Sequence, residues 1–449
     1  MEKTSICFIG AGYIGGSTGP VMALKNPSID FYIADIDDQR IDAWNSDNLP
    51  IYEPGLYDIV KEIRGKNLFF TTNIKSAIEK SSIIFIGVNT PTKMHGNGAG
   101  EASNLAYWEG AARTIAKWSN SNKVIVEKST LPVKTAQAIK DLLQCLDPKH
   151  SYHILSNPEF LAEGTAVRDL LSPDRVLIGG NELDSEYVDQ VAALYEAWVP
   201  HEKVIKTGLW SSELSKLASN AMLAQRVSSI NALACACEEF GADITEVSKI
   251  LGMDTRIGSK FLKAGPGFGG SCFKKDILSL IYLCKSKGLD EVAEYWRAVI
   301  NMNEAQQKRI VNRILSKSFN TLTNKHIAVF GYAFKADTGD TRETPAKYII
   351  DLLKAEHPCE ITVYDPKTEM NALKKEVADE ICTVCSDPYV AALNTDILIV
   401  CTDWAEFKEY DWEKIYNSMV NQKLIFDARN FLDHDRLRAI GFDVMSVGK

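Results

Sequence analysis

"SICFIGAGYIGG", residues 5–16, joins a short β-favouring apolar run to glycines spaced as Gly10, Gly12 and Gly15. A strand that feeds a helix through such a turn is the opening unit of a doubly wound α/β sheet, and the missing side chains let the backbone approach a pyrophosphate at the helix start. Asp35 closes the next predicted strand, "FYIAD", where a carboxylate accepts hydrogen bonds from an adenosine ribose. Its charge repels a 2′-phosphate and favours NAD over NADP, although Arg40 offers a guanidinium to that phosphate. A glycine turn without any cofactor is the plainer reading; strand, helix and acid in one unit speak against it.

The same rhythm continues outward. "DFYIAD", "IIFIGV", "KVIVEKS" and "YHILSN" read as further strands, each ending in a turn-forming residue and separated by helical segments, the pattern of a parallel sheet wound by helices. Ligands in such sheets bind beyond the carboxyl ends of the strands, so "GAGYIGG", "NTPTK", "STLP" and "NPEFLAEG" are expected on one rim. From about Glu213 to Phe240 the apolar period becomes helical without Gly or Pro, which predicts one long helix that joins domains and packs against another subunit. Cys235 and Cys237 near its end read as small buried hydrophobes. After Asn320 the alternation restarts with "HIAVFG", a helix near Pro345–Ala355, "EITVYD", "DILIVC" and "KLIFDA". This second doubly wound domain has only Gly331 where the first has a glycine fingerprint. The expected fold class is thus α/β, two Rossmann-like domains joined by a long central helix and helical region, with boundaries at 1–205, 206–318 and 319–449.

Composition agrees. Hydrophobic residues are 45% of the chain and charged ones 24%, the profile of a globular protein. Apolar runs stop far short of the roughly 20 residues that span a bilayer, and the N-terminus lacks the long apolar stretch of a secretory signal; a cytoplasmic protein is expected. A net charge of −9 argues against broad binding to nucleic acid or anionic membranes, so an anionic ligand must meet a local pocket of cations. Ten irregularly spaced cysteines suit reduced thiols, and the Cys382/Cys385 pair lies in a strand-like stretch, so no metal site is expected.

One cysteine stands apart. "GPGFGGSCFKKD", residues 265–276, clears side chains around Cys272 and follows it with Lys274, Lys275 and Asp276. Glycines let the backbone pass close to a ligand, and a thiol at a helix start is stabilised as thiolate by the positive end of the dipole. Asp276, one helical turn on, can hold or deprotonate a water. A nicotinamide takes hydride from an alcohol to give an aldehyde, but an aldehyde is a poor second hydride donor. Addition of a thiolate gives a thiohemiacetal, its oxidation a thioester, and hydrolysis a carboxylate. The combined motifs therefore predict a four-electron alcohol-to-acid oxidation. Lys216 and Asn220 lie one helical turn apart and can stabilise an oxyanion; alone they would read as a solvated helix face. Glu159 and Glu163 fall on the ligand rim, where they serve the chemistry or cap the next helix.

"GAGYIGG", "VNTPTK", "EKSTLPV", "NPEFLAEGTA", "SSELSKLASNA", "RIGSKFLKAGPGFGGSCFKKD" and "GYAFKADTGDTRETP" occur in this order, and nearly the whole chain resembles the UDP-glucose/GDP-mannose dehydrogenase family. The resemblance implies an NAD domain, a central dimerisation region and a C-terminal UDP-binding domain. It makes Cys272 the nucleophile, gives Lys216 and Asn220 the oxyanions, and sets Asp276 with Thr130 and Glu163 at the water. Cofactor contacts implied by it are Gly10, Ala11, Gly12, Tyr13, Ile14, Gly15, Asp35, Arg40, Val88, Asn89, Thr90, Pro91, Thr92, Ser129, Thr130, Glu163 and Arg342. Substrate contacts implied are Glu159, Phe160, Leu161, Lys216, Asn220, Phe261, Lys263, Gly267, Phe268, Gly269, Phe334, Lys335 and Arg429, with Arg256 reaching over from a neighbouring subunit. UDP-glucose is the substrate that the "GSCF" loop and "ELSKLASN" helix favour; other family members oxidise UDP-N-acetylmannosamine, UDP-N-acetylglucosamine or GDP-mannose by the same scheme. Gly265, Pro266, Lys274 and Ala428 depart from the family's usual pattern and bear on loop rigidity and sugar contacts. A homodimer, or a hexamer of three dimers, is implied. The reading from a different class is a dinucleotide-binding scaffold without turnover, which would have no use for the thiol.

Overall fold

The computed structural model describes residues 5–449, which form two compact units: the chain up to Ser219 with Leu278–Gly288, and Asn220–Ile277 with Leu289–Lys449. No helix among the described residues is long and apolar enough to cross a membrane.

The first unit is built on eight strands: β1 (Ser5–Ile9), β2 (Asp30–Ala34), β3 (Leu68–Thr71), β4 (Ile83–Ile86), β5 (Lys123–Glu127), β6 (Tyr152–Ser156), β7 (Val176–Gly180) and β8 (Val204–Gly208). Their order is β3-β2-β1-β4-β5-β6-β7-β8. Successive strands step outward in one direction from β1 and then in the other from β4, so the crevice between them is the place where such sheets bind ligands. Side-chain alternation feeds a core on each face: Ile6 and Phe8 enter one cluster, Cys7 and Ile9 the other. Because helices cover both faces, β1, β4 and β5 are buried at every position. The five strands read from the sequence, β1, β2, β4, β5 and β6, pair parallel, and beyond them β6 and β7 pair antiparallel, with β8 parallel to β7.

The second unit carries β9 (His326–Phe330), β10 (Glu360–Tyr364), β11 (Cys382–Cys385), β12 (Ile397–Val400), β13 (Leu424–Asp427) and β14 (Asp443–Ser446), ordered β11-β10-β9-β12-β13-β14 and parallel throughout. Ile327 and Val329 fill one core, Ala328 and Phe330 the other. The long helix runs Leu209–Phe240, starting ahead of Glu213 because it follows β8 without a break and Leu209 is itself a core residue. Its Cys237 is buried, but Cys235 only partly so. The predicted helix at Pro345 extends to Lys354.

Candidate active site

At the β1 turn each fingerprint glycine has a separate reason. Gly10 has φ +105°, a conformation side chains disfavour. A Cβ on Gly15 would lie 2.0 Å from the Gly10 carbonyl oxygen, whereas one on Gly12 would meet nothing within 4 Å. Gly12 precedes the helix Tyr13–Lys25, whose start has no side-chain cap. The turn thus leaves open space before exposed helix amides, the cradle that a pyrophosphate requires. Asp35 is buried and accepts from the Ala11 amide at 2.7 Å while binding Arg40 Nη1 at 3.1 Å. With Asp37 also on Arg40, its guanidinium is engaged by carboxylates, which fits NAD better than NADP.

The neighbouring rim loops are tied together. Thr90 Oγ1 donates to the Thr130 carbonyl at 3.1 Å, and Ser129 Oγ to the Val88 carbonyl at 2.6 Å. Val88, Asn89, Pro91 and Thr92 follow β4 on this rim, and Thr92 bridges to Ser103. Glu159 is buried beside Lys216, 3.3 Å away, and Lys216 also stands over the Phe160 ring. Leu161 packs on the core, and Glu163 is half-buried close by. At the start of the next helix Glu53 accepts the Gly164 and Ala166 amides at 2.6 and 3.0 Å. The solvated-face reading of Lys216 and Asn220 is also overturned, since both are buried.

Within the second unit, Cys272 immediately precedes the helix Phe273–Lys285, and its carbonyl accepts the Asp276 amide at 2.9 Å. This thiol is exposed, whereas burial pushes Cys7 and Cys401 up to about 12 and Cys382 to about 11. Asp276 is 1% exposed; its Oδ2 accepts from Asn220 Nδ2 at 2.6 Å and its Oδ1 faces Lys275 Nζ at 3.2 Å. One oxygen of this carboxylate is thus held by a side-chain amide and the other by an ammonium.

The glycines ahead of Cys272 make room for the protein's own atoms. Protein fills the space they leave: a Cβ on Gly267 would lie 2.5 Å from Asn303 Oδ1, and one on Gly269 2.5 Å from the Glu343 carbonyl. Gly270 donates its amide to the Arg342 carbonyl at 2.9 Å. Buried amide side chains then clamp the loop, Asn231 and Gln306 on Gly265 and Asn303 on Phe268. The cysteine is presented by a rigid backbone.

Cations expected around a nucleotide are partnered. Lys263 pairs with Asp403 at 2.8 Å, and Arg429 donates to the Cys401 and Phe334 carbonyls at 2.7 Å each. Burial alone would raise the Asp403 carboxyl, but Arg429 and Lys263 hold it below its usual value. Lys335 lies over the Phe334 ring, Arg342 chelates Asp340, Arg256 pairs with Asp254, and Phe261 adopts φ 61° while half-exposed. Sequence reasoning missed Glu53, Asp403 and the Asn231–Asn303–Gln306 clamp. Their spacing along the chain carries no signal.

An NAD-binding sheet, a thiol at a helix start and a second Rossmann-like sheet define a nucleotide-sugar dehydrogenase. Models of the UDP-glucose/GDP-mannose dehydrogenase family match as three parts: the NAD binding domain over residues 4–199, the central domain over 210–305 and the UDP binding domain over 328–434. The chain belongs to that family, and its cofactor is NAD. It is 51% identical to UDP-glucose 6-dehydrogenase 3 of Oryza sativa, covering 99% of this chain and 97% of the relative. It is likewise 51% identical to UDP-glucose 6-dehydrogenase of Drosophila melanogaster, covering 99% and 96%. A UDP-glucose dehydrogenase structure from Pyrobaculum islandicum superposes with TM-score 0.86 at 27% identity, over 99% of this chain and 97% of that one.

Proposed function

We propose that this chain oxidises UDP-glucose to UDP-glucuronate in two NAD-dependent steps, with Cys272 holding the sugar covalently between them. The observation that carries the reading is Cys272 itself: an exposed thiol at the start of the helix Phe273–Lys285, with Asp276 buried one turn behind it and bound to Asn220. Bound NAD supplies the hydride acceptor for each oxidation. The protein's residues do the rest. Cys272 Sγ attacks the aldehyde carbon, and Lys216 and Asn220 stabilise the oxygen anion of the thiohemiacetal. After the second oxidation a water, oriented by Asp276 with Thr130 and Glu163, adds to the thioester and expels the thiolate, leaving the carboxylate. Gly10–Gly15, Asp35, Arg40, Val88–Thr92, Ser129 and Arg342 serve the cofactor. Glu159, Phe160, Leu161, Phe261, Lys263, Gly267, Phe268, Gly269, Phe334, Lys335 and Arg429 serve the UDP-sugar, with Arg256 acting from a second copy.

The proposal assigns 1–205 to the cofactor, 206–318 to dimerisation and the thiol, and 319–449 to UDP, in a cytoplasmic homodimer or hexamer. Counting NADH formed per UDP-glucose consumed tests it. Two per sugar is expected; one would indicate a simple alcohol dehydrogenase, and none a scaffold.

A further inference from the structure

We infer that Glu127 is a positioning residue: it stays protonated and donates a hydrogen bond to Glu213, and the pair holds the helix carrying Lys216 against the loop carrying Thr130. Glu127 is the last residue of β5 and 1% exposed, and no donor among the described residues meets either of its carboxyl oxygens. An ionised carboxylate in that position has nothing to compensate its lost hydration, so the neutral acid is the form that fits. Burial, followed by the charge of Glu213, pushes the Glu127 carboxyl well above its usual range. Burial raises the carboxyl of Glu213, 3% exposed, as well, but the backbone amides of Lys134 and Ala136 that it accepts at 2.8 and 3.1 Å pull it back, so Glu213 is the one of the pair that takes the negative charge. Neighbouring cations point elsewhere: Lys128 Nζ reaches Asn157 and Tyr195, and Lys134 Nζ lies over the Trp210 ring. Glu213 is the ionisable group that acts on Glu127.

The consequence is mechanical. Glu213 stands on the helix Leu209–Phe240, three residues before Lys216, and its carboxylate caps the helix Thr135–Leu146 that follows the Thr130 loop. Ser212, beside it, bonds Ser156 Oγ at 2.9 Å, so the same helical turn is also pinned to the end of β6. Removing the Glu127 proton would put two charges in this seam and push it apart.

The functional half of this inference rests on the roles proposed for Lys216 and Thr130; the spectroscopic half does not. Infrared spectra of wild type and Glu127→Gln at about pH 7.5 are expected to differ by one buried carboxylic-acid carbonyl band, lost in the variant. Stability is the second readout. With a folded value above the unfolded one, Glu127 takes up a proton on folding, so its contribution is present below the unfolded value and is lost as pH rises through the folded value. Glu127→Gln, which keeps a donor, is expected to remove that decline and hold kcat within about twofold, whereas Glu127→Met lowers kcat about tenfold with KM little changed. If Glu127→Met does not fold, the band and the Gln variant still decide. An unchanged carbonyl band, parallel pH–stability curves, or a Gln variant as impaired as the Met variant overturns the inference.

Discussion

Adding one methyl group at Gly12 or at Gly15 should separate binding from folding. Gly12 has φ −78° and ψ −160°, an extended conformation open to alanine, and its Cβ would meet nothing within 4 Å. Gly12→Ala should leave stability unchanged or raise it by roughly 0.4–1 kcal/mol through a less flexible unfolded chain. The same methyl occupies the space through which a pyrophosphate reaches the helix amides. Losing one charge-assisted hydrogen bond there costs about 1.5–3 kcal/mol, which is roughly a 10- to 150-fold weaker NAD affinity. Gly15→Ala is the converse. Its Cβ would overlap the Gly10 carbonyl oxygen at 2.0 Å, so the turn must shift, at a cost of about 1–3 kcal/mol or more. Denaturant unfolding of the two variants, beside NAD titration by protein fluorescence, gives both numbers. Wild-type NAD affinity in Gly12→Ala, or equal destabilisation by the two substitutions, would refute the glycine assignment.

Other perturbations follow from the buried charges. Lys216→Met leaves the Glu159 carboxylate buried without its cation, so roughly 3–5 kcal/mol of stability should be lost, and Glu159→Gln in the same chain should restore most of it. Burial lowers Lys128 to about 8, against opposing help from Glu159. Because the folded value lies below the unfolded one, its stabilising contribution is complete above the unfolded lysine value and is lost as pH falls through about 8. Denaturation of wild type should therefore show stability rising from about pH 8 to 10.5 relative to Lys128→Met. Asp276→Asn keeps the volume beside Asn220 but removes the charge, and should slow hydrolysis about a hundredfold in single-turnover assays while the first NADH forms at near wild-type rate. Asp403→Ala should release Lys263 and tighten binding of UDP measured by calorimetry.

The sheet centres were legible because β1, β4, β5 and β6 are apolar runs bounded by turn residues, and each is buried on both faces. β3, β7, β8 and β14, at or next to the sheet edges, were not. β8, "VIKTG", shows only Val204 buried, and β14, "DVMS", only Ser446, so neither has an apolar signature. At the site, the Gly10–Gly15 turn and Cys272 at its helix start could be read because their chemistry is local. Asn220 meets Asp276 from 56 positions away, and Glu53 reaches Gly164 across 111; only the folded chain brings those partners together. The packing of the glycine loop was out of reach for a related reason: the atoms against it come from Asn303 and Glu343, which no local pattern announces.

The account turns on a bond between Cys272 Sγ and the sugar's oxidised carbon. Quenching Asp276→Asn during turnover with UDP-glucose and NAD, then measuring the mass of the peptide that contains Cys272, should find the acyl adduct on that residue. An unmodified peptide, while NADH accumulates to two equivalents or more per enzyme, would contradict covalent catalysis by this thiol.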